Sequence, residues 1–584
     1  MIPKQLMEVS EKLRIQAEKD KLRANKKKAR IINSTKTILS DLVPDIVVDN
    51  NASIIDQLGT LVTTIGAEAT DLEKVASLFV GRDEAPITFA VAIVVMLLIF
   101  YMFSRQRRRL PPGPFPWPIV GNLLQMGELI HRSFYDISKK YGPIASLKMG
   151  SVTVIVISSP EMAKEVLKTN DLIFAGRPAT AAAKYLFYDF KDVGFTPYGP
   201  YWRQMKKLFM VELLNAKRIE SMRSMREEAV SLAVRSVWEK SRHGTVAVNL
   251  SQIIASLVSS QILRILYGTT SEDQGLDSNG EKIKELLLEA SMAVGVFNIG
   301  DFIPWLDWLD LQGVKRRMKT VNKSFDEMMT KIIEQHRQRR SSNLGNQQQQ
   351  PNSKDVIDAL LDMQAADSVT ITDDHIKAIV FNVFAGGMET TSTTMEWTMS
   401  SLIQNPHVLK KLQAEVEAIV GKERVVQESE LKGMEYLVCV VNETVRLYPA
   451  VPLLIPHEST EDCTIDGYFI PKKSRAFVNS WALGRDPKVW KDPLEFKPER
   501  FMGRDIDFIK GKEYFDVVPF GAGRRACPGI SMSFSMMTFT IAQLVHCFDW
   551  RVEGELDMSE CNGASLPRKH DILAIPSLRL HTCP

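Results

Sequence analysis

The chain has 584 residues, a length that on ordinary domain sizes allows about four domains. Apolar residues make up 45% and charged residues 24%, ordinary globular usage that excludes wholesale disorder and fibrous repeats. The 73 basic residues against 70 acidic ones leave a net charge of +3, which excludes a nucleic-acid binder held by charge.

Residues 1–85 form a charged extension. Its first 36 residues are rich in Lys and Arg, with KKKAR at 26–30, while 41–85 are mostly acidic. Glu8, Glu11, Glu18 and Asp20 argue against an organelle transit peptide, which is poor in acids. The stretch from Pro86 to Phe103 carries no charge over 18 residues. As a helix it would reach roughly 27 Å, enough for a bilayer core. Arg105, Arg107, Arg108 and Arg109 follow it, whereas Arg82, Asp83 and Glu84 precede it. The positive-inside rule then places the C-terminal bulk in the cytosol. Single-pass anchorage in the endoplasmic reticulum membrane is the expectation. Residues 104–118 are basic and then Pro-rich. Five prolines between Pro111 and Pro118 exclude helix and sheet and predict a stiff, extended hinge.

Past the hinge, Ile144–Met149 and Thr153–Ser158 are β-rich runs around Gly150-Ser151 and predict a hairpin. Apolar spacings of three and four predict helices over 161–169, 202–241, 281–293, 315–340, 355–365 and 372–404. Strand-like pieces return near 462–470 and 571–580. Residues 341–353 (SSNLGNQQQQPNS) read as a polar surface loop. The expected fold class is mainly α with a small β portion, in one large domain over 119–584.

Six cysteines, at 439, 463, 527, 547, 561 and 583, include no C-x-x-C and no Cys/His zinc spacing. A reduced, cytosol-facing protein fits, and any cysteine with a chemical role acts alone. Cys527 stands apart. It lies in Pro519-Phe520-Gly521-Ala522-Gly523-Arg524-Arg525-Ala526-Cys527-Pro528-Gly529, just before the apolar helical run Ile530–Phe548. Two glycines permit a tight turn whose N–H groups can point at one anion, and a helix N-terminus favours negative charge. Such a setting holds a thiolate, with Arg525 near to meet a second anion. The other five cysteines read as inert thiols.

This segment resembles the haem-binding signature of the cytochrome P-450 superfamily at every fixed position, F-x-x-G-x-R-x-C-x-G. The resemblance implies the cytochrome P-450 fold, haem b as cofactor, Cys527 as axial thiolate of its iron, and Phe520 and Arg525 at the cofactor. Three further motifs occur in the family's order. Glu443-Thr444-Val445-Arg446 is E-x-x-R, and Phe496-Lys497-Pro498-Glu499-Arg500-Phe501 supplies a second arginine. In the family, Glu443, Arg446 and Arg500 would form a buried structural network fixing the Cys527 loop. Ala385-Gly386-Gly387-Met388-Glu389-Thr390-Thr391 lies inside a helical pattern, where each glycine costs roughly 1 kcal/mol relative to Ala. By resemblance it is a widened turn over the haem that holds dioxygen. Thr390 would hydrogen-bond there and Glu389 would relay protons from solvent. Trp202 and Lys206 are similar to the family's W-x-x-x-R, with Lys in place of Arg, and would face the haem propionates together with His457.

The resemblance spans residues 110–580, and its finer texture (PPGP, FAGRP, IGDFIPWLDWLDLQG) is similar to the A-type plant branch. It implies a monooxygenase that takes electrons from NADPH through a partner, NADPH-cytochrome P-450 reductase. Neither a nucleotide-binding G-x-G-x-x-G nor a flavin domain appears in this sequence, so the reductase is expected to be a separate partner. Tyr185, Phe187, Tyr188, Phe190, Phe297, Phe302, Trp305 and Trp308 suggest an apolar, aromatic substrate arriving from the membrane lipid, or simply core packing. Phenylpropanoid or flavonoid hydroxylation is the leaning, with terpenoid or fatty-acid hydroxylation as the alternative. A haem-thiolate enzyme that rearranges a pre-formed peroxide, or a haem-binding non-enzyme, would need no Glu389-Thr390 relay.

Overall fold

The computed structural model describes residues 110–267, 292–343, 355–366, 371–504, 514–563 and 565–581, together with 286, 289, 290, 506 and 508. The charged extension, the anchor over 86–103 and the arginines at 105–109 lie outside the described residues, as do most of 281–293 and of the 341–353 loop. The described chain belongs to one compact unit, Ser104–Pro584.

Helices dominate. Those that position the site are α1 (Ile130–Tyr141), α2 (Pro200–Leu208), α3 (Arg223–Lys240), α4 (Leu250–Tyr267), α5 (Val314–Asn343), α6 (Val356–Ala365), α7 (Asp373–Gln404), α8 (Pro406–Val420), α9 (Glu435–Leu447) and α10 (Ile530–Cys547). The expected β portion is present. A four-stranded sheet is ordered β1 (Ile144–Met149), β2 (Val152–Ile157), β7 (Arg475–Val478), β4 (His457–Glu458). β3 (Val248–Asn249), β9 (Leu573–Leu578) and β8 (Phe548–Arg551) form a second sheet, and β5 (Cys463–Ile465) pairs with β6 (Tyr468–Ile470).

Period-two burial sorts the main sheet into two cores. Ala145, Leu147, Met149, Val154 and Val156 face one cluster with Phe134, Phe302 and Phe477. Ile144, Ile155, Ile157 and Val478 face another with Phe174 and Leu454. The β1–β2 hairpin keeps the register Met149↔Val152. Its Gly150 has a φ of +54°, and a Cβ there would overlap the Phe302 carbonyl. The β5–β6 hairpin turns on Asp466-Gly467, both with positive φ, the Asp-Gly geometry suited to a two-residue turn.

α7 is the axle of the helical body. Thr372 caps it, exchanging hydrogen bonds with His375, and α4, α9 and α10 pack around it. Trp397 is fully buried on it, stacked on Tyr448 at 4.1 Å, and its Nε1 donates to the Leu566 carbonyl at 2.8 Å. α4 and α10 are long and apolar enough to cross a membrane, yet both are mostly buried within the fold. They are core helices.

Two sequence-based expectations are corrected. The single helix expected over 202–241 is broken into α2, a π-helical turn at Phe209–Leu213, a short helix at Ala216–Ser221 and α3. Asn215 makes the break: its backbone is extended and its side chain accepts from Arg218 N–H, starting a new helix. The apolar spacing runs on through that cap. The Pro-rich hinge is also more than a spacer. Helix and strand are absent there, as expected, but Ser146 on β1 donates its N–H to the Pro112 carbonyl at 2.9 Å and its hydroxyl to the Pro111 carbonyl at 2.6 Å. A Cβ on Gly113 would overlap the Ser146 carbonyl, so this stretch is fastened along β1.

Two buried carboxylates lock distant segments. Glu443 on α9 is 0% exposed and takes two hydrogen bonds from Arg446, at 2.6 and 2.7 Å. It also accepts from Arg500 Nε at 2.9 Å and from the Lys497 N–H at 2.7 Å. Arg446 reaches on to the carbonyls of Gly484, Pro493 and Glu495. Arg500 donates to those of Lys491, Asp492 and Glu495. Beyond it, Trp490, Phe501 and Val517 pack with Cys439 of α9. The chain is thus held to α9 two residues short of Pro519, where the Cys527 loop begins. The second carboxylate, Glu560, accepts from His131 and Arg132 of α1 at 3.1 and 2.9 Å and from Trp481 at 2.8 Å. Burial pushes its carboxyl up, but the bonds from His131 and Trp481 and the charges of His131 and Arg132 outweigh it and hold it at about 2.

Glu443→Gln leaves Arg446 buried without a counter-charge and should cost about 3–5 kcal/mol, read as a lower urea midpoint, whereas Glu499→Gln beside it should change little. Glu560, with its native value below the ordinary 4.5, stabilises the fold fully above that pH and loses its contribution as pH falls towards 2. Glu560→Gln should therefore melt lower than the wild type at neutral pH, with the gap closing in acid.

Candidate functional site

The loop before α10 is shaped by its glycines. Gly521 and Gly523 both have a φ of +66°, and a Cβ on Gly523 would overlap the Leu167 carbonyl. Gly521 N–H closes onto Val518, Ala526 N–H onto Gly523 and Cys527 N–H onto Phe520 at 2.9 Å. Those donors are therefore spent inside the turn rather than converging on an anion. The N–H aimed at the sulfur is that of Gly529, immediately before α10. Burial pushes the Cys527 thiol up, opposed by the Gly529 N–H and by the positive charge of Lys206. The side chain is nevertheless exposed. Cys527 is therefore not close-packed on every side, unlike the buried Cys439 and Cys547.

α7 approaches this loop. Thr391 Oγ1 and Ser533 Oγ, in the second turn of α10, lie 3.2 Å apart. The two glycines of Ala385-Gly386-Gly387 have separate reasons. A Cβ on Gly387 would press on Ile262 of α4 at 3.0 Å, whereas Gly386 has open space at its Cβ position and is exposed in mid-helix. Thr390 Oγ1 donates to the Gly386 carbonyl at 2.7 Å. α7 stays α-helical across this span, so the expected widened turn is not a break in the helix. What is found instead is a carbonyl with a second hydrogen bond, from a hydroxyl one turn on. Glu389 accepts from the Ser565 hydroxyl at 2.5 Å. Burial raises its carboxyl, opposed by the Ser565 hydroxyl and N–H.

Cations gather beside the loop. Arg525 donates from Nε to Ala175 at 2.9 Å, from Nη1 to Val193 at 3.3 Å and from Nη2 to Thr196 at 2.6 Å, all carbonyls. Its guanidinium lies 4.3 Å over the Trp202 ring, and Trp202 Nε1 donates to Val193 as well. Lys206 bonds the Arg524 carbonyl and sits 5.2 Å from the Trp202 ring. Sequence reasoning missed Arg177. It is buried, donating to the carbonyls of Gly194, Ile455 and Pro456 at 3.0, 2.6 and 2.9 Å. Burial and the charge of Arg525 lower it to about 9, against the pull of Asp192. A buried arginine inside FAGRP was the available signal, but its neighbours lie in three other parts of the chain.

His457 is buried within reach of the charges of Arg177 and Arg525. Its Nδ1 faces the Phe174 carbonyl at 2.7 Å, so Nδ1 carries the proton. Burial and the charge of Arg177, aided by Arg525, hold the imidazole down at about 3 despite that carbonyl. With Nδ1 protonated, the neutral ring leaves Nε2 as an acceptor.

The aromatic residues expected to line a substrate pocket disperse. Phe187 packs in the helical core with Phe195 and Phe381, at ring separations of 4.7 and 5.1 Å. Phe297 and Phe302 stack at 4.1 Å in the core beside the β1–β2 hairpin. Trp305 and Trp308 are 62% and 77% exposed. Tyr185 and Tyr188 are half-buried against the helical core, and Phe190 sits in a left-handed stretch, φ +65°.

The donor set fits a haem. The charge of Lys206 acts on Cys527, that of Arg525 on Lys206 and on Arg177, and the acid the two arginines share is Asp192. That leaves an excess of positive charge, buried at Arg177 and half-buried at Arg525 and Lys206, suited to two carboxylates and a thiolate. Comparison with known proteins agrees. The family model "Cytochrome P450" matches residues 111–574. Cytochrome P450 750A1 of Pinus taeda is 47% identical over 508 residues, covering 84% of this chain and 97% of that one. A flavonoid 3'-monooxygenase of Arabidopsis thaliana is 39% identical, covering 83% and 96%. A zebrafish cytochrome P450 solved with progesterone superposes with a TM-score of 0.65 at 26% identity, over 76% of this chain and 99% of that one. With sequence, fold and site in agreement, the chain belongs to the cytochrome P450 superfamily, in its plant A-type branch, and is a haem-thiolate monooxygenase.

Proposed function

We propose that this monooxygenase inserts one oxygen atom into a small apolar phenolic metabolite of the phenylpropanoid or flavonoid class. Its cofactor is haem b, and its electrons come from NADPH through the microsomal cytochrome P-450 reductase. Residues 86–103 anchor it in the endoplasmic reticulum membrane behind the extension 1–85, with the catalytic domain, 119–584, on the cytosolic face. The substrate class is supported by relatives at 38–39% identity that are flavonoid 3'-monooxygenases.

The observation that carries the reading is the Cys527 sulfur, exposed and addressed by the Gly529 N–H. When bound, a thiolate-ligated haem activates dioxygen for cleavage of its O–O bond. The chain's own residues do the rest. Cys527 supplies the thiolate, which the Gly529 N–H and Lys206 favour over the thiol. Arg177 and Arg525 would neutralise the propionates, and their ties to backbone carbonyls hold both side chains in place. Trp202 orients Arg525 through its ring face. Phe520 supports the loop from within, close to Phe508 and Phe534. Glu389 carries protons inward from its place beside Ser565, and Thr390, pinned to the Gly386 carbonyl, delivers them at the oxygen-binding side. Glu443, Arg446 and Arg500 keep a structural role.

Cys527→Ala should lose the thiolate-type band of the reduced carbon monoxide spectrum while keeping the helical circular dichroism. Thr390→Ala should keep that band and divert electrons to hydrogen peroxide, measured as peroxide released per NADPH consumed with the reductase. An unchanged ratio would remove Thr390 from the proton path. Flavanones should give a spin-state shift on titration, and a shift with terpenoids or fatty acids alone would overturn the substrate class.

A further inference from the structure

The polar face that α7 turns towards the C-terminal segment does not end at Glu389. Positions 389, 393 and 396 follow one another at helical spacings of four and three and so share one face. Thr393 Oγ1 lies 3.5 Å from Ser565 Oγ, the same hydroxyl that donates to Glu389. One turn further, Glu396 accepts from the Ser251 hydroxyl of α4 at 3.0 Å. Ser251 is itself fixed by the Ile572 N–H at 3.0 Å. Arg568 and Asp571, on the segment that covers this face, are the charged groups that act on Glu396. Asp571 is exposed at the surface.

Among the described residues no arginine or lysine is hydrogen-bonded to this mid-helix carboxylate of Glu396, and Arg568 acts on it through its charge alone. Its partner is a serine, which stabilises either protonation state. Burial raises Glu396 to about 7, with the Ser251 hydroxyl and Arg568 opposing and Asp571 adding to the rise. It therefore exchanges a proton near neutrality, while Glu389, one hydroxyl away from Thr393, is where the proton is needed.

We propose that Glu396 is the proton reservoir of this enzyme, feeding Glu389 along the Thr393–Ser565 hydroxyls, and that Ser565 is the positioning residue that joins the two. This rests on the reading of Glu389 as the proton carrier. Glu396 O–H gives up its proton across the one-turn gap to Thr393 through a water. Each hydroxyl accepts one proton and passes on its own, Glu389 carboxylate becomes the acid, and Glu396 is reloaded from solvent past Asp571. Charge and proton count are unchanged over a cycle, and no oxidant is involved.

The test uses the full-length haem protein with the microsomal reductase, NADPH and dioxygen, and no organic substrate. Infrared difference titration of the wild type should show a carboxyl band lost near pH 7, and Glu396→Gln should lack it; persistence of the band in that variant overturns the inference. Peroxide released per NADPH consumed should rise with pH through the same range in the wild type, because Glu396 cannot donate once ionised. In Glu396→Gln the ratio should be high and flat, whereas Ser565→Ala should raise it yet keep the infrared band. A wild-type ratio and pH profile in Glu396→Gln overturns the reservoir. If Glu389→Gln raises the ratio in the same assay, the reservoir alone falls. If Glu389→Gln leaves the ratio unchanged, the proposed role of Glu389 falls with it. The reduced carbon monoxide spectrum of each variant shows that the haem site is intact.

Discussion

A negative sulfur inside a protein must be compensated at short range, because the medium around it screens little. At Cys527 the Gly529 N–H and the charge of Lys206 act in that sense, and Lys206, Arg525 and Arg177 are each within reach of the next one's charge; the arginines have a further task. Arg525 holds the carbonyls of Ala175, Val193 and Thr196, and Arg177 those of Gly194, Ile455 and Pro456. The side chains that bring positive charge to the site therefore also fasten the loops that enclose it. Desolvating an arginine is costly unless its donors are satisfied, and those carbonyls both offset the cost and fix the geometry.

Glu443 is the counterpart behind the loop. Its bonds to Arg446, Arg500 and the Lys497 N–H convert an otherwise irregular stretch, 484–500, into a rigid support. Carboxylate and guanidinium planes match in a buried pair, so the network has little freedom to slide. That stiffness leads along the chain, through Phe501 and Val517, to Phe520 and Cys527.

α7 shows how one helix serves as core and site at once. Gly387 lets α4 come close, Gly386 leaves space open, and Trp397 with Tyr448 anchors the far end. Between them lies the polar line of Glu389, Thr393 and Glu396, covered by the segment around Ser565. Each of its two carboxylates is met by a hydroxyl from another element, Glu389 by Ser565 of the C-terminal segment and Glu396 by Ser251 of α4.

Much of this was legible in the residue order. Cys527 stood out from five other cysteines because glycines, an arginine and a following apolar helix surround it within eleven positions. The helices over 314–343 and 373–404 were visible as apolar spacing, and the hairpin at 144–157 as two β-rich runs about a Gly-Ser turn. Those are local features, settled by backbone sterics and periodicity over a few turns. What stayed hidden depends on groups far apart in the chain. Arg177 and Ser565 gain their roles from residues brought to them by folding. The proton on His457 is decided by the Phe174 carbonyl. Phe297 and Phe302 looked like pocket walls until the sheet was seen packed against them. The break at Asn215 was missed because apolar spacing continues through a cap. The amino-acid order by itself determined the family and the candidate site, since a cysteine after a glycine turn and a buried ion network each demand particular side chains at short spacings. Only the tertiary structure decided which charges meet, which carbonyls are satisfied and which aromatic rings are core, because Coulomb and packing energies depend on distance in space and not along the chain.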